Sequence, residues 1–164
     1  MRTAGLLAGF ALAVHAVPSF AIAVGPPPLP LTVDVSVVRS GEVRAATGGL
    51  LMTGAEIRPG KQGGALGRLS LISETSRPVD VTLQDIGSPS GLEDQIWLRV
   101  TLGDALVFTG TQAQLRMRTS RPIRLAAGAE VPIEIVVELP GRTTESAGRH
   151  AEIRIRVVSP VARV

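Results

Sequence analysis

The sequence predicts an all-β protein: an antiparallel β-sandwich, jelly-roll or Ig-like, of about eight to nine strands, preceded by an N-terminal signal helix. Three observations lead to this class. Apolar residues alternate with polar ones in segment after segment, the period of a strand with one face buried. These segments recur about every ten residues, with Gly- and Pro-bearing turn signals between them. Beyond the first residues, no window of about 11 or more shows a helical period.

The elements follow in order. "MRTAGLLAGFALAVHAVPSFA" has one basic residue, Arg2, then an apolar run from Ala4 to Val17. Pro18 breaks that run, and Ser19 and Ala21 put small residues before a cleavage point, the layout of a secretory signal. Ala23 offers a second cleavage point. The run is shorter than the ~20 residues of a membrane span, so membrane contact is expected only if this segment stays uncleaved. The expected domains are a signal peptide over 1–21, a Pro-rich leader over 22–30 and one β-sandwich over 31–164. In the leader, Pro26-Pro27-Pro28 favours extended polyproline II and excludes helix.

"LTVDVSVV" is the first strand, with Leu31, Val33, Val35 and Val37 on one face. "RSGEVRAATGG" reads as a loop or weak strand, and "LLMTGAEIRPGKQGGALG" as short apolar runs among turn signals. "RLSLIS" and "PVDVTLQDI" are strands, and "ETSR" between them has the length of a hairpin link. In the second of these, Val79, Val81, Leu83 and Asp85 share one parity. "GSPSGLED" is a loop. "QIWLRVTL" points Ile96, Leu98, Val100 and Leu102 inward and Trp97 outward, and "GDALVFTG" turns into a short strand. "TQAQLRMR" alternates and is predicted as another strand. The stretch from Glu130 to Leu139 faces Ile133, Ile135, Val137 and Leu139 one way. "HAEIRIRVV" closes the set. If these last two strands are neighbours, Glu134 and Glu138 would face Arg154 and Arg156, each pair favouring the register by about 0.2–1 kcal/mol.

Composition excludes several function classes. The chain has no cysteine, so disulfides, zinc–thiolate sites and cysteine nucleophiles are out of reach. Lys and Arg number 17 against 14 Asp and Glu, and no run of five basic residues occurs. Beyond the signal segment the aromatics are Trp97 and Phe108, too few to stack bases. Nucleic acid is therefore not an expected partner, and no small-molecule substrate is evident. Beyond residue 21 the one histidine is His150, at a strand start with no local catalytic partner. "GSPSG" has Pro89 where a nucleophile elbow needs serine. Asp80, Asp85, Glu93 and Asp94 lack the spacing of a calcium loop and read as solvated surface. Whether His150 or the loop around Glu93 and Asp94 binds a metal stays open, and no catalytic residue, metal ligand or cofactor is assigned. The candidate interaction residues are Leu31, Val33, Val35 and Val37, which could add to a sheet edge of another subunit, and Trp97, out of phase with the apolar side of its strand.

One resemblance rests on the order of segments from about Leu50 to Val158. "LGRLSLISETSRPVDVTL" follows Arg58-Pro59-Gly60; then come "GLEDQIWLRVTL", "LVFTGTQAQL", a Leu-x-x-Gly turn, a strand ending in Leu-Pro, and "RTTESAGRHAEIRIRVV". This pattern resembles the TasA/camelysin group of exported bacterial proteins. The resemblance implies a jelly-roll sandwich made with a signal peptide, and matrix fibres in which an N-terminal segment of one subunit completes the sheet of the next. Some members of that group are classed as metallopeptidases. Ser73-Glu74-Thr75-Ser76 stands where the group tends to have Asn and Gly, and its aromatic positions are almost empty here. The resulting expectation is a secreted or cell-surface, non-enzymatic β-sandwich of the extracellular matrix, self-assembling by strand addition. The alternatives are a camelysin-like metallopeptidase and a monomeric Ig-like accessory or adhesion domain.

Overall fold

A computed structural model describes residues 29–39, 41–60, 64–141 and 145–159. The expected signal peptide and most of the Pro-rich leader lie outside these residues. The described chain is all-β, with ten strands in two five-stranded sheets. These are β1 (Leu31–Val38), β2 (Val43–Ala45), β3 (Leu50–Ile57), β4 (Ala65–Ser73) and β5 (Val79–Asp85). They continue with β6 (Trp97–Leu102), β7 (Ala105–Thr111), β8 (Ile123–Leu125), β9 (Glu130–Glu138) and β10 (His150–Val158). One sheet has the order β3-β1-β10-β5-β8 and the other β2-β4-β9-β6-β7.

Period-two patterning explains why the sheets stack. On β1, Leu31, Val33 and Val35 are fully buried and Val37 nearly so, while Thr32, Asp34 and Ser36 alternate outward. Ile153, Ile155 and Val157 of β10 join them from the same sheet, and Leu98, Val100, Ile133 and Ile135 meet them from the other. The inward faces form one core, as strands of strict alternation require. The predicted inward residues of β6 and β9 all lie in it, as do Val81 and Leu83 of β5, with Val79 packed against it.

Successive strands mostly change sheets; the β6–β7 hairpin is the consecutive pair that stays in one. It turns through Gly103 and Asp104, with Leu102 opposite Ala105 and Gly103 at φ +61°. A two-residue turn with positive φ at its first position suits glycine and matches strand twist.

Four expectations are corrected here. "ETSR" is no hairpin link: β4 and β5 lie in different sheets, and the segment carries the chain from one to the other. The sheets are not wholly antiparallel, because β1 runs parallel to β10, with Asp34 opposite Glu152 and Val35 opposite Ile153. "TQAQLRMR" is not a strand but contains the helix α1 (Gln112–Met117). The Thr111 side chain accepts from the Gln114 N–H and the Gln114 side chain accepts from the Thr111 N–H, a reciprocal cap that starts the helix. Finally, β9 and β10 are not neighbours. Glu134 pairs instead with Arg68 of β4, its register partner, and Arg156 donates to Gln84 of β5.

Candidate functional site

The strongest concentration of polar chemistry sits where β1 and β10 begin. Parallel pairing sets Thr32 beside His150 and Asp34 beside Glu152 on the outer face of the sheet. His150 Nε2 lies 2.8 Å from Asp34 Oδ2, joining residues 116 positions apart. On the other side of Asp34, β3 carries an irregularity in its pairing with β1, and Gly54 there has φ +62°. That conformation turns the Gly54 N–H outward to donate to Asp34 Oδ1 at 2.7 Å. Glu152 accepts from the Ser88 N–H at 3.1 Å. Asp34, Ser88, Pro89, Ser90, His150 and Glu152 line a cleft of about 340 Å³.

Both carboxylates of the cleft are held in the charged form. The Gly54 N–H and then the His150 ring keep the Asp34 carboxyl below its ordinary value. The Ser88 N–H and hydroxyl do the same for Glu152. Such groups stabilise the folded state above their unfolded pKa values, 3.8 and 4.5. That contribution is lost as pH falls through the lower folded values. Asp34→Asn and Glu152→Gln are therefore expected to lower the urea midpoint slightly at about pH 7 and to match the parent chain at about pH 2. A deficit of equal size at both pH values would contradict this origin.

The wall of the cleft is fixed from below. Asp85, at the end of β5, is fully buried and accepts five hydrogen bonds. Gly87 N–H (3.1 Å) and Arg154 N–H (3.0 Å) donate to Oδ1. Gln112 Nε2 (3.1 Å), Arg116 Nε (3.2 Å) and Arg116 Nη2 (2.9 Å) donate to Oδ2. Arg116 also reaches Gly87 O at 3.0 Å and Glu93 Oε1 at 3.5 Å. Glu93 in turn accepts from the N–H groups of Ser90 and Gly91. Burial pushes the Glu93 carboxyl up, but backbone donors at Glu93, Ser90 and Gly91, with Arg116, outweigh it and hold it below the ordinary range. The loop from Ile86 to Ile96 is thereby tied to α1, β5 and β10. The helix matters because it places Gln112 and Arg116 one turn apart over Asp85.

This arrangement limits the chemistry. The Ser90 hydroxyl sits 3.4 Å from Glu93 and that of Ser88 serves Glu152, so neither is joined to His150 as a nucleophile to its base. Among the described residues no group of three or more His, Cys, Asp or Glu is placed to hold a metal ion. The four acidic residues singled out in the sequence disperse, and for Asp85 the expectation of solvated surface is overturned, because five donors hold its carboxylate inside the fold. Asp85 is a buried anchor, Glu93 a loop cap, Asp80 sits opposite Arg124, and Asp94 is exposed.

The candidate interaction residues divide in two. Leu31, Val33, Val35 and Val37 face the core of their own chain, and β1 is paired on both sides, by β10 and β3. Trp97 points outward from β6 and is 39% exposed. The His150–Asp34 pair was not legible in the sequence, since strand parity places Asp34 outward but does not say that β1 lies beside β10. The α1 cap was legible, as Thr-x-x-Gln at Thr111–Gln114. Among the described residues no helix is long and apolar enough to cross a membrane. Comparison of the sequence with family models and with curated proteins returns no match.

Proposed function

We propose that this chain is an exported, non-enzymatic β-sandwich protein of the cell surface or extracellular matrix that self-associates by strand addition. The observation that carries the reading is β1. Among the described residues it is the first strand of either sheet; it follows a proline-rich stretch in the sequence and fills the slot between β3 and β10 with four buried apolar side chains. A short link, residues 39–42, joins it to the rest. The same slot in a second copy would accept the same strand with identical hydrogen bonds and pockets, the requirement for exchange between subunits. Export is supported by the layout of Arg2, the apolar run to Val17 and the small residues to Ala21. Alternation of successive strands between the sheets supports the jelly-roll form of the sandwich. The segment order resembling the TasA/camelysin group agrees with both.

The test is sedimentation and electron microscopy of the chain from Ile22 onward across concentration, with and without an excess of a Leu29–Arg39 peptide. Concentration-dependent multimers that the peptide breaks down, by filling the slot of β1, are the expected result. A monomer at every concentration would sink strand addition.

A further inference from the structure

The two outer faces of the sandwich differ in kind. Along the middle of β1 and β10 the outer face carries Asp34, Ser36, Glu152 and Arg154. The outer face of the other sheet carries an apolar patch instead. Leu66 of β4 is 55% exposed and Trp97 of β6 is 39% exposed. Val136 of β9 lies between them, with Leu66 and Arg99 as its register partners. Trp97 is opposite Glu138. These four positions make a small rectangle: Trp97 and Val136 on one diagonal, Arg99 and Glu138 on the other. Arg99 and Glu138 form no ion pair or hydrogen bond among the described residues, although Arg68 and Glu134 of the next row are paired.

We propose that this face is a symmetric contact between two copies of the chain, centred on Trp97 and Val136. A two-fold axis lying in the interface maps one patch onto its own copy. Laid along the Trp97–Val136 diagonal, it brings each apolar residue against its equivalent. The same operation sets Arg99 of one copy against Glu138 of the second, and Glu138 against Arg99. Two charges without a side-chain partner among the described residues thus find partners at the rim of a desolvated Trp, the arrangement of a contact with an aromatic anchor. The strands of the two copies then cross steeply, in the manner of orthogonally packed sheets. The size of the face sets the strength. Strands about 4.8 Å apart and roughly 25 Å long give a five-stranded sheet on the order of 600 Å². That is the lower end of what specific dimers bury per partner, so a weak, concentration-dependent dimer follows.

This contact requires no exchange of β1, so it stands or falls separately from strand addition. Trp97 is the one tryptophan of the chain, so its fluorescence reports this position alone. The experiment follows emission and acrylamide quenching of the chain from Ile22 onward across concentration, with sedimentation in parallel. The expected result is a blue shift and a several-fold fall in quenching as dimer forms. Val136→Glu and Arg99→Glu should each weaken it at least tenfold, and Glu138→Arg should restore association to the Arg99→Glu chain. Association that leaves Trp97 emission unchanged overturns the contact while sparing strand addition. A monomer throughout, or a dimer indifferent to these substitutions, overturns it as well.

Discussion

Asp85→Ala is expected to destabilise the protein by about 3–5 kcal/mol, read as a large drop in the urea midpoint. The carboxylate is fully buried and has five donors around it, two from the backbone and three from Gln112 and Arg116. Removing it leaves the part-buried Arg116 guanidinium without its closest counter-charge and two backbone N–H groups without acceptors. Each orphaned buried group costs about 1–3 kcal/mol, more for a charged one. The loop from Ile86 to Ile96 and α1 should loosen first, because both hang on this residue. Hydrogen exchange would place the early opening there. A variant as stable as the parent chain would mean that water replaces the carboxylate at no cost, and the anchor would be no anchor.

The second large effect concerns β1. A chain starting at Arg39 should fail to fold alone, and a peptide of Leu29–Arg39 added to it should restore a cooperative unfolding transition. Burying one Val or Leu side chain contributes roughly 1.5–3 kcal/mol, so the four inward residues of β1 account for on the order of 6–12 kcal/mol. That equals the whole stability of a typical domain, about 5–15 kcal/mol. Losing β1 also strips the inner edges of β10 and β3 of their ladder hydrogen bonds. A truncated chain with native-like cooperative unfolding, indifferent to the peptide, would show that β1 is dispensable to the sandwich.

Several of these features could be read from the chain, and others could not, for reasons that follow from how each is encoded. Alternation is local, so the inward sets of β1, β5, β6, β9 and β10 stand in the sequence as they stand in the core. So does the outward Trp97. Asp85 has the core parity of β5, yet a carboxylate with no visible counter-charge is expected at the solvated surface, and the structure buries it against a partner. The partner, Arg116, went unseen because Ala113, Leu115 and Met117 imitate a strand. In the helix Gln112 and Leu115 are buried and Met117 is 82% exposed. Capping chemistry at Thr111 and Gln114 outweighs that alternation. Pairing between distant strands is the least legible property. Glu134 finds Arg68 and not Arg154, and His150 finds Asp34, because sheet order is decided by packing of whole faces and not by any one pair.

The central claim, that β1 can be supplied by a neighbouring copy, is tested most directly by a cross-link. Ser36 and Arg154 are register partners on the outer face of β1 and β10, and the chain has no cysteine of its own. Ser36→Cys with Arg154→Cys places two thiols on neighbouring strands, within reach of a disulfide. Oxidation of multimers separated from monomer, followed by a non-reducing gel, shows whose strand fills each sandwich. The account predicts a ladder of covalent multimers from the assembled fraction and closed monomers from the monomeric one. Closed monomers alone from assembled material would contradict it.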